Sequence, residues 1–293
     1  MKSSSVFSFR FHVYLRGIMM GAADLIPGVS GGTIALITGI YEEFIFSLSA
    51  LFEPEHLRFF FRGQWKKFWK AINGNFLFSL FAGILTSVLL FSSLIRWLFS
   101  HYPVHVWSFF FGLIAASSLM VLRMAGPHKG RWFFVAGGLL AGLLIAWLHP
   151  AQASGNVTLL MTFLSGMSAS MAMILPGISG SYILILLGMY ATVLEWVHRF
   201  DLLHLGIFVA GIAAGITGFS RLLRWLLAHY EKATLSLLGG FLVGSLALIW
   251  PWKSGGVPVW PSNYPGNPHV WTAAGLALAG LVFIFSLERA ANK

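Results

Sequence analysis

The chain has 293 residues, 57% of them hydrophobic and 10% charged, with a mean hydropathy of +0.79; a soluble domain carries about a quarter charged residues, so most of this surface faces something other than water. The formal net charge is +10, but the basic residues gather in the gaps between apolar runs, which is how a membrane protein sets its orientation and not how a soluble protein builds a face for nucleic acid. With no cysteine in the chain, disulfides and thiolate chemistry are excluded, and no cofactor or metal site is expected.

In chain order, the N-terminal arm does not read as a signal peptide, because Arg10 and Arg16 interrupt its apolar stretch and no small-x-small cleavage site follows. Residues 17–51 are apolar but broken at Ile26-Pro27-Gly28-Val29-Ser30-Gly31-Gly32-Thr33. Proline ends a helix and glycine permits the turn after it, so two short helices meeting at a break are predicted. The basic, aromatic segment 53–75, with Arg58, Arg62, Trp65, Lys66, Lys67, Trp69 and Lys70, suits a helix lying on the membrane surface. Crossing a hydrocarbon core takes roughly 20 helical residues, and the runs 76–99, 106–122 and 131–149 are predicted to cross. A second broken stretch, 158–197, carries Leu175-Pro176-Gly177-Ile178-Ser179-Gly180-Ser181, and further crossings are predicted at 205–228, 233–251 and 270–288. Tryptophans at the ends of these runs, Trp97, Trp147, Trp225 and Trp271 among them, form an interfacial belt.

The two broken stretches match. A shift of 149 places Pro27 on Pro176, Gly28 on Gly177, Ser30 on Ser179, Gly31 on Gly180, Gly39 on Gly188 and Tyr41 on Tyr190. A shift of 128 places Gly83 on Gly211, Arg96-Trp97-Leu98 on Arg224-Trp225-Leu226, His101-Tyr102 on His229-Tyr230 and Gly112 on Gly240. The shifts differ by 21 because the first copy alone carries the insert 53–75. The expected fold is therefore an all-α polytopic membrane protein of two repeats, 1–150 and 151–293, each a broken-helix hairpin followed by three transmembrane helices.

Charge decides how the repeats are oriented. If each broken stretch is a re-entrant hairpin, each copy has three full crossings and the second is inverted relative to the first. With the N-terminus inside, fourteen of the 19 Lys and Arg lie inside and only Arg199 and Lys253 outside, while Arg96, Arg221 and Arg224 fall within crossings. A single crossing per broken stretch would put the basic insert outside, against the positive-inside rule. Both termini and the insert are expected to be cytoplasmic, with the 150–157 and 252–269 loops outside.

Non-helical backbone at membrane depth is tolerated only against protein or a watery cavity, and inverted repeats with broken helices place their substrate between the breaks. The residues after each break start a new helix whose N–H groups, with Ser30, Thr33, Ser179 and Ser181, make an anion-binding end. Gly31, Gly32 and Gly180 leave the backbone approachable, and a side chain at 31 or 180 would block a phosphate. Each start acts like roughly half a positive charge, so two facing starts suit a phosphate. Taken alone, either motif also reads as a helix stop and restart; paired, inverted breaks favour a site. Arg96 and Arg224, one near each face, offer phosphate a two-pronged donor, or else snorkel to the interface from helix ends. Asp24 is the only acid in an apolar stretch beside a break, and its counterpart is Met173. An intramembrane acid is functional by default: it carries a coupling proton or sodium ion, or pairs with Arg16 or Arg96. His101 and His229 are proton carriers or interfacial side chains, and Glu42, Glu43 and Glu195 read as solvated.

The PGVSGGT and PGISGS pair, the repeated RWLxxHY and the basic insert resemble the polyprenyl-phosphate transporter family over most of the chain. The resemblance implies a flippase of the bacterial plasma (inner) membrane that returns undecaprenyl phosphate, the lipid carrier of cell-wall building blocks, from the outer to the inner leaflet. It carries Pro27 to Thr33 and Pro176 to Ser181 as the residues at stake; roles for Asp24, Arg96 and Arg224 rest on position alone. A polyprenyl-diphosphate phosphatase also uses inverted repeats and a PG-x-S motif, but that family follows the Ser with Arg, where Gly31 and Gly180 stand here, so an enzyme is not expected. A small-anion transporter or channel uses the same physics; it needs a polar pore, whereas a lipid carrier needs a lateral opening lined with aliphatic side chains.

Overall fold

The computed structural model describes residues 8–26, 28–148, 157–255 and 257–291; Pro27 and all but the last residue of the 150–157 loop lie outside the described residues. The first broken stretch forms α1 (Phe11–Asp24), α2 (Gly31–Ile37) and α3 (Tyr41–Leu51); the insert forms α4 (Pro54–Phe61) and α5 (Trp65–Ala71); and α6 (Gly74–His101), α7 (Pro103–Ala125) and α8 (Arg131–Trp147) follow. The second broken stretch forms α9 (Leu159–Ile174), α10 (Gly180–Leu186) and α11 (Tyr190–Arg199). The chain closes with α12 (Leu202–Ser245) and α13 (Val270–Ala291), and a two-residue antiparallel pair, β1 (Lys253–Ser254) and β2 (Val257–Pro258), lies between them. Among the described residues four helices, α6, α7, α12 and α13, are long and apolar enough to cross a membrane, the bent pair α10 and α11 would make a fifth span if taken together, and α8 is a shorter apolar helix of 17 residues. The chain is a multi-pass, all-helical membrane protein.

Two expectations change. Each broken stretch holds three helices instead of two, because a second turn follows the first at Gly39 (φ 72°) and Gly188 (φ 68°); only a residue without a Cβ takes this left-handed backbone freely. The turn at Gly188 bends α10 from α11 by 105°. The insert is two short helices in place of one, turning at Gly63, with Phe60 folded back on Trp65 and Phe68 at 4.8 and 5.3 Å. The predicted crossings 205–228 and 233–251 are the two parts of α12, two helices that meet at a kink at Tyr230 (φ −136°, ψ 40°). Its counterpart Tyr102 has the same backbone (φ −135°, ψ 49°) and separates α6 from α7. There Pro103 follows at the first helical position, where its missing N–H costs nothing.

The duplication extends to contacts. A Cβ on Gly83 would fall on the carbonyl oxygen of Tyr14, and one on Gly211 on that of Phe163, 149 places on. In both places a small residue lets two helices touch backbone to backbone, so α1 lies on α6 as α9 lies on α12. Gly112 meets the carbonyl of Ala277 as Gly240 meets that of Val135, and Gly280 meets Phe109 as Gly138 meets Leu237. Thus α13 packs on α7, and α8 on the second part of α12. The ring of His101 stacks on Trp97 at 4.9 Å and that of His229 on Trp225 at 5.2 Å, each at an interplanar angle of 28°.

The guanidinium of Arg10, at the start of α1, pairs with Glu43 at the start of α3, and the Asn73 amide before α6 donates to the same carboxylate at 2.9 Å. The starts of α1, α3 and α6 thus lie together.

Candidate functional site

The two breaks lie against each other. Gly28 (φ 81°) and Gly177 (φ 94°) turn the chain, and Ser30 and Ser179 follow in extended backbone before α2 and α10 begin. The Ser30 hydroxyl donates across to the carbonyl of Leu175 at 3.0 Å, Thr33 Oγ1 accepts from the N–H of Gly177 at 3.0 Å, and the Tyr41 hydroxyl donates to Ile174 at 3.2 Å. A Cβ on Gly32 would stand 2.8 Å from the Ile174 carbonyl. The first motif thus satisfies backbone groups that the second break frees, as buried polar groups require.

The start of α2 is already occupied. The N–H of Gly31 donates to Asp24 Oδ1 at 2.6 Å, and that of Gly32 to Ser30 Oγ at 3.1 Å. Asp24 therefore stands where an anion would dock, and among the described residues it pairs with neither Arg16 nor Arg96, the partners expected from sequence. The start of α10 differs. Its N-cap Ser179 makes no capping bond, and its hydroxyl lies 2.8 Å from that of Ser181. Where α2 has Asp24, α10 has Met173.

Between the breaks lies a cavity of about 390 Å³. Its polar lining is Asp24, Gly32, Ser170, Ser179, Gly180 and Ser181; the rest is apolar, with Met20, Phe44, Leu48, Phe81 and Ile84 on one side and Met173, Leu184, Phe208, Ile212 and Ile216 on the other. Phe81 and Met173 line it while being 47% and 48% exposed. The cavity therefore has a mouth on the apolar flank of the helices. Among the described residues, Asp24 is the one charged side chain in its lining.

Of the residues singled out from sequence, Gly32, Ser179, Gly180, Ser181 and Asp24 meet at this cavity. Ser30 and Thr33 are buried behind it with their hydroxyls engaged across the breaks, and Pro176 and Gly177 are buried in the turn. The bareness of Gly31 and Gly180 also serves packing: a Cβ at 31 would meet Asp24 Oδ2 at 2.5 Å, and one at 180 the carbonyl of Ala169 at 2.6 Å. Neither arginine reaches the cavity. Arg96 is exposed on α6, and Arg224 pairs with Glu53 at 3.1 Å with its guanidinium 5.8 Å from the Phe46 ring. Ser170, Phe81 and Phe208 line the cavity without having been singled out. Ser170 had a signal, since it matches Gly21 in the first copy.

The undecaprenyl phosphate translocase-like family model matches residues 20–262. The chain belongs to this family. It is 41% identical over 300 aligned positions to the polyprenyl-phosphate transporter of Vibrio cholerae serotype O1, covering 96% of each chain. It is 32% identical over 269 positions to the polyprenyl-phosphate transporter of Staphylococcus aureus, covering 86% of this chain and 90% of that one. No solved structure matches it. The matched span takes in both breaks, the insert and the whole cavity lining of this translocase-like chain.

Proposed function

We propose that this chain carries undecaprenyl phosphate or a related polyprenyl phosphate across the bacterial plasma membrane, returning the lipid carrier to the inner leaflet. The observation that carries this reading is the cavity: apolar walls, a mouth at Phe81 and Met173 on the lipid-facing flank, and polar groups confined to the two helix starts. A small anion has no use for such walls. A phosphorylated isoprenoid does, with its phosphate at Ser179, Gly180 and Ser181 and its tail leaving past Phe81 and Met173.

The two copies act as inverted repeats, residues 1–150 and 151–293, each with a re-entrant hairpin. The Arg10–Glu43 pair supports this for the first hairpin, since its two ends share one face. That face, with the insert and both termini, is cytoplasmic by the charge argument, and Arg96 and Arg224 serve the phosphate near opposite faces. Asp24 is the coupling group. Asp24 and the start of α10 line one cavity, where like charges repel, by about 4 kcal/mol at 4 Å and an effective dielectric of ~20, so a phosphate at α10 favours an Asp24 that holds a proton or a sodium ion.

Imaging the purified protein in nanodiscs with added undecaprenyl phosphate tests the reading. Phosphate density beside Ser179 and Ser181, with a tail running out between α6 and α9, is expected. A compact density with no tail, reproduced by inorganic phosphate, would make this a small-anion site.

A further inference from the structure

Arg96 and Arg224 are equivalent under the shift of 128, yet they stand in different surroundings. Arg96 is exposed and makes no ion pair among the described residues. Arg224 is held by Glu53 at 3.1 Å, with side chains 39% and 28% exposed. Glu53 opens the insert, which the second copy lacks, so no counterpart carboxylate exists for Arg96. One turn away on α12, Arg221 donates to the carbonyl of Phe52 at 2.9 Å. That bond anchors the backbone next to Glu53, so its carboxylate stays within reach of Arg224 after letting go.

We propose that Glu53 is an internal competitor of the lipid phosphate at Arg224, displacing it on the face that carries the insert. This rests on the reading of the chain as a polyprenyl-phosphate transporter. Carboxylate and phosphate use the same guanidinium edges, so they exclude each other. There is room for the exchange: a second cavity of about 470 Å³ beside Arg224 is walled by Phe46, Leu227, Glu42 and Glu231. Its two further carboxylates also disfavour a phosphate that lingers. The other oxygen of Glu53 lies 3.6 Å from His56 Nδ1, a nitrogen already hydrogen-bonded to the carbonyl of Ala50 at 2.8 Å, so Arg224 is the stronger partner of Glu53. A half-buried pair of this kind, still open to water, is weak, which suits a group that must yield and return. The asymmetry supplies a direction: capture at bare Arg96, release at shielded Arg224.

The test is binding and turnover of undecaprenyl phosphate by the full chain in nanodiscs and oriented vesicles. Glu53→Gln is expected to tighten binding about fivefold, equivalent to ~1 kcal/mol at 1.4 kcal/mol per tenfold, and to slow turnover. Glu53→Asp keeps the charge and restores wild-type affinity. In an Arg224→Gln background, Glu53→Gln has no further effect. Unchanged or weaker binding by Glu53→Gln, or an equal gain in both backgrounds, overturns the proposal while the transporter reading stands. Failure of the wild-type protein to bind the lipid at all would instead sink that reading.

Discussion

Asp24 accepts the backbone N–H of Gly31 at 2.6 Å, and that bond closes the start of α2 to any other anion while leaving the start of α10 open. Under the proposed function, the closed start belongs to the coupling ion and the open one to the phosphate. Asp24→Asn keeps an acceptor for Gly31 but drops the charge. It is expected to fold normally and to transport without responding to a proton or sodium gradient. Asp24→Ala leaves the Gly31 N–H unpaired and is expected to cost ~1–3 kcal/mol of stability as well. Gradient-driven uptake and thermal unfolding, measured side by side, separate the two effects; an Asn variant still driven by its gradient removes Asp24 from coupling.

The repeated glycine contacts give matched stability effects. Gly83→Ala and Gly211→Ala each push a Cβ onto a backbone carbonyl, Tyr14 and Phe163 respectively, and overpacking of this kind costs ~1–3 kcal/mol. Gly218, on the same helix as Gly211, has no atom within 4 Å of its missing Cβ. Gly218→Ala is therefore expected to be neutral or to stabilise by up to ~1 kcal/mol, since glycine weakens a helix interior. Thermal unfolding in detergent reads all three. A Gly218 variant as damaged as the other two would contradict the packing argument.

Lys253 gives the loop after α12 a pH dependence. Its ammonium lies 3.7 Å from the Trp107 ring centre and donates to the carbonyl of Leu248, and burial pushes it down from 10.5 to about 8. The folded loop therefore loses the proton at lower pH than the unfolded chain does. Stability should rise as pH climbs from about 8 towards 10.5 and level off above; the gain is at most ~3 kcal/mol at 1.36 kcal/mol per pH unit. Lys253→Met should abolish the slope. Hydrogen exchange across 246–269, corrected for its intrinsic pH dependence, is the measurement, and a slope that survives in the Met variant assigns it elsewhere.

Orientation is open to labelling because the chain has no cysteine. Lys67→Cys in the insert and Ser262→Cys in the loop before α13 are both at exposed positions. An impermeant reagent outside intact cells should label position 262 and not 67. Labelling at 67 would reverse the inverted-repeat assignment.

What could be read from sequence was whatever the backbone demands locally. Gly28 and Gly177 announce their turns because few other residues adopt that φ, and the shifts of 149 and 128 follow from such demands recurring in order. The Gly39 and Gly188 turns had the same signal and were matched without being read as breaks. The partners of Asp24, Ser30 and Arg224 were not legible. Ser30 reaches Leu175 and Arg224 reaches Glu53, contacts between residues well over a hundred positions apart that only the packing of the two halves brings about. Asp24 and Gly31 are close in sequence, yet their bond depends on the direction in which α2 leaves the break.

The central claim is that this cavity carries a phosphate on a lipid tail, and leaflet-resolved transport tests it most directly. Vesicles containing the purified chain are loaded with undecaprenyl phosphate in one leaflet or with inorganic phosphate in the lumen, and the movement of each is followed. The protein is expected to move the lipid between leaflets, Ser179→Ala with Ser181→Ala to slow that movement by tenfold or more, on the order of 1.4 kcal/mol, and inorganic phosphate not to cross. Efflux of inorganic phosphate with no movement of the lipid would contradict the claim.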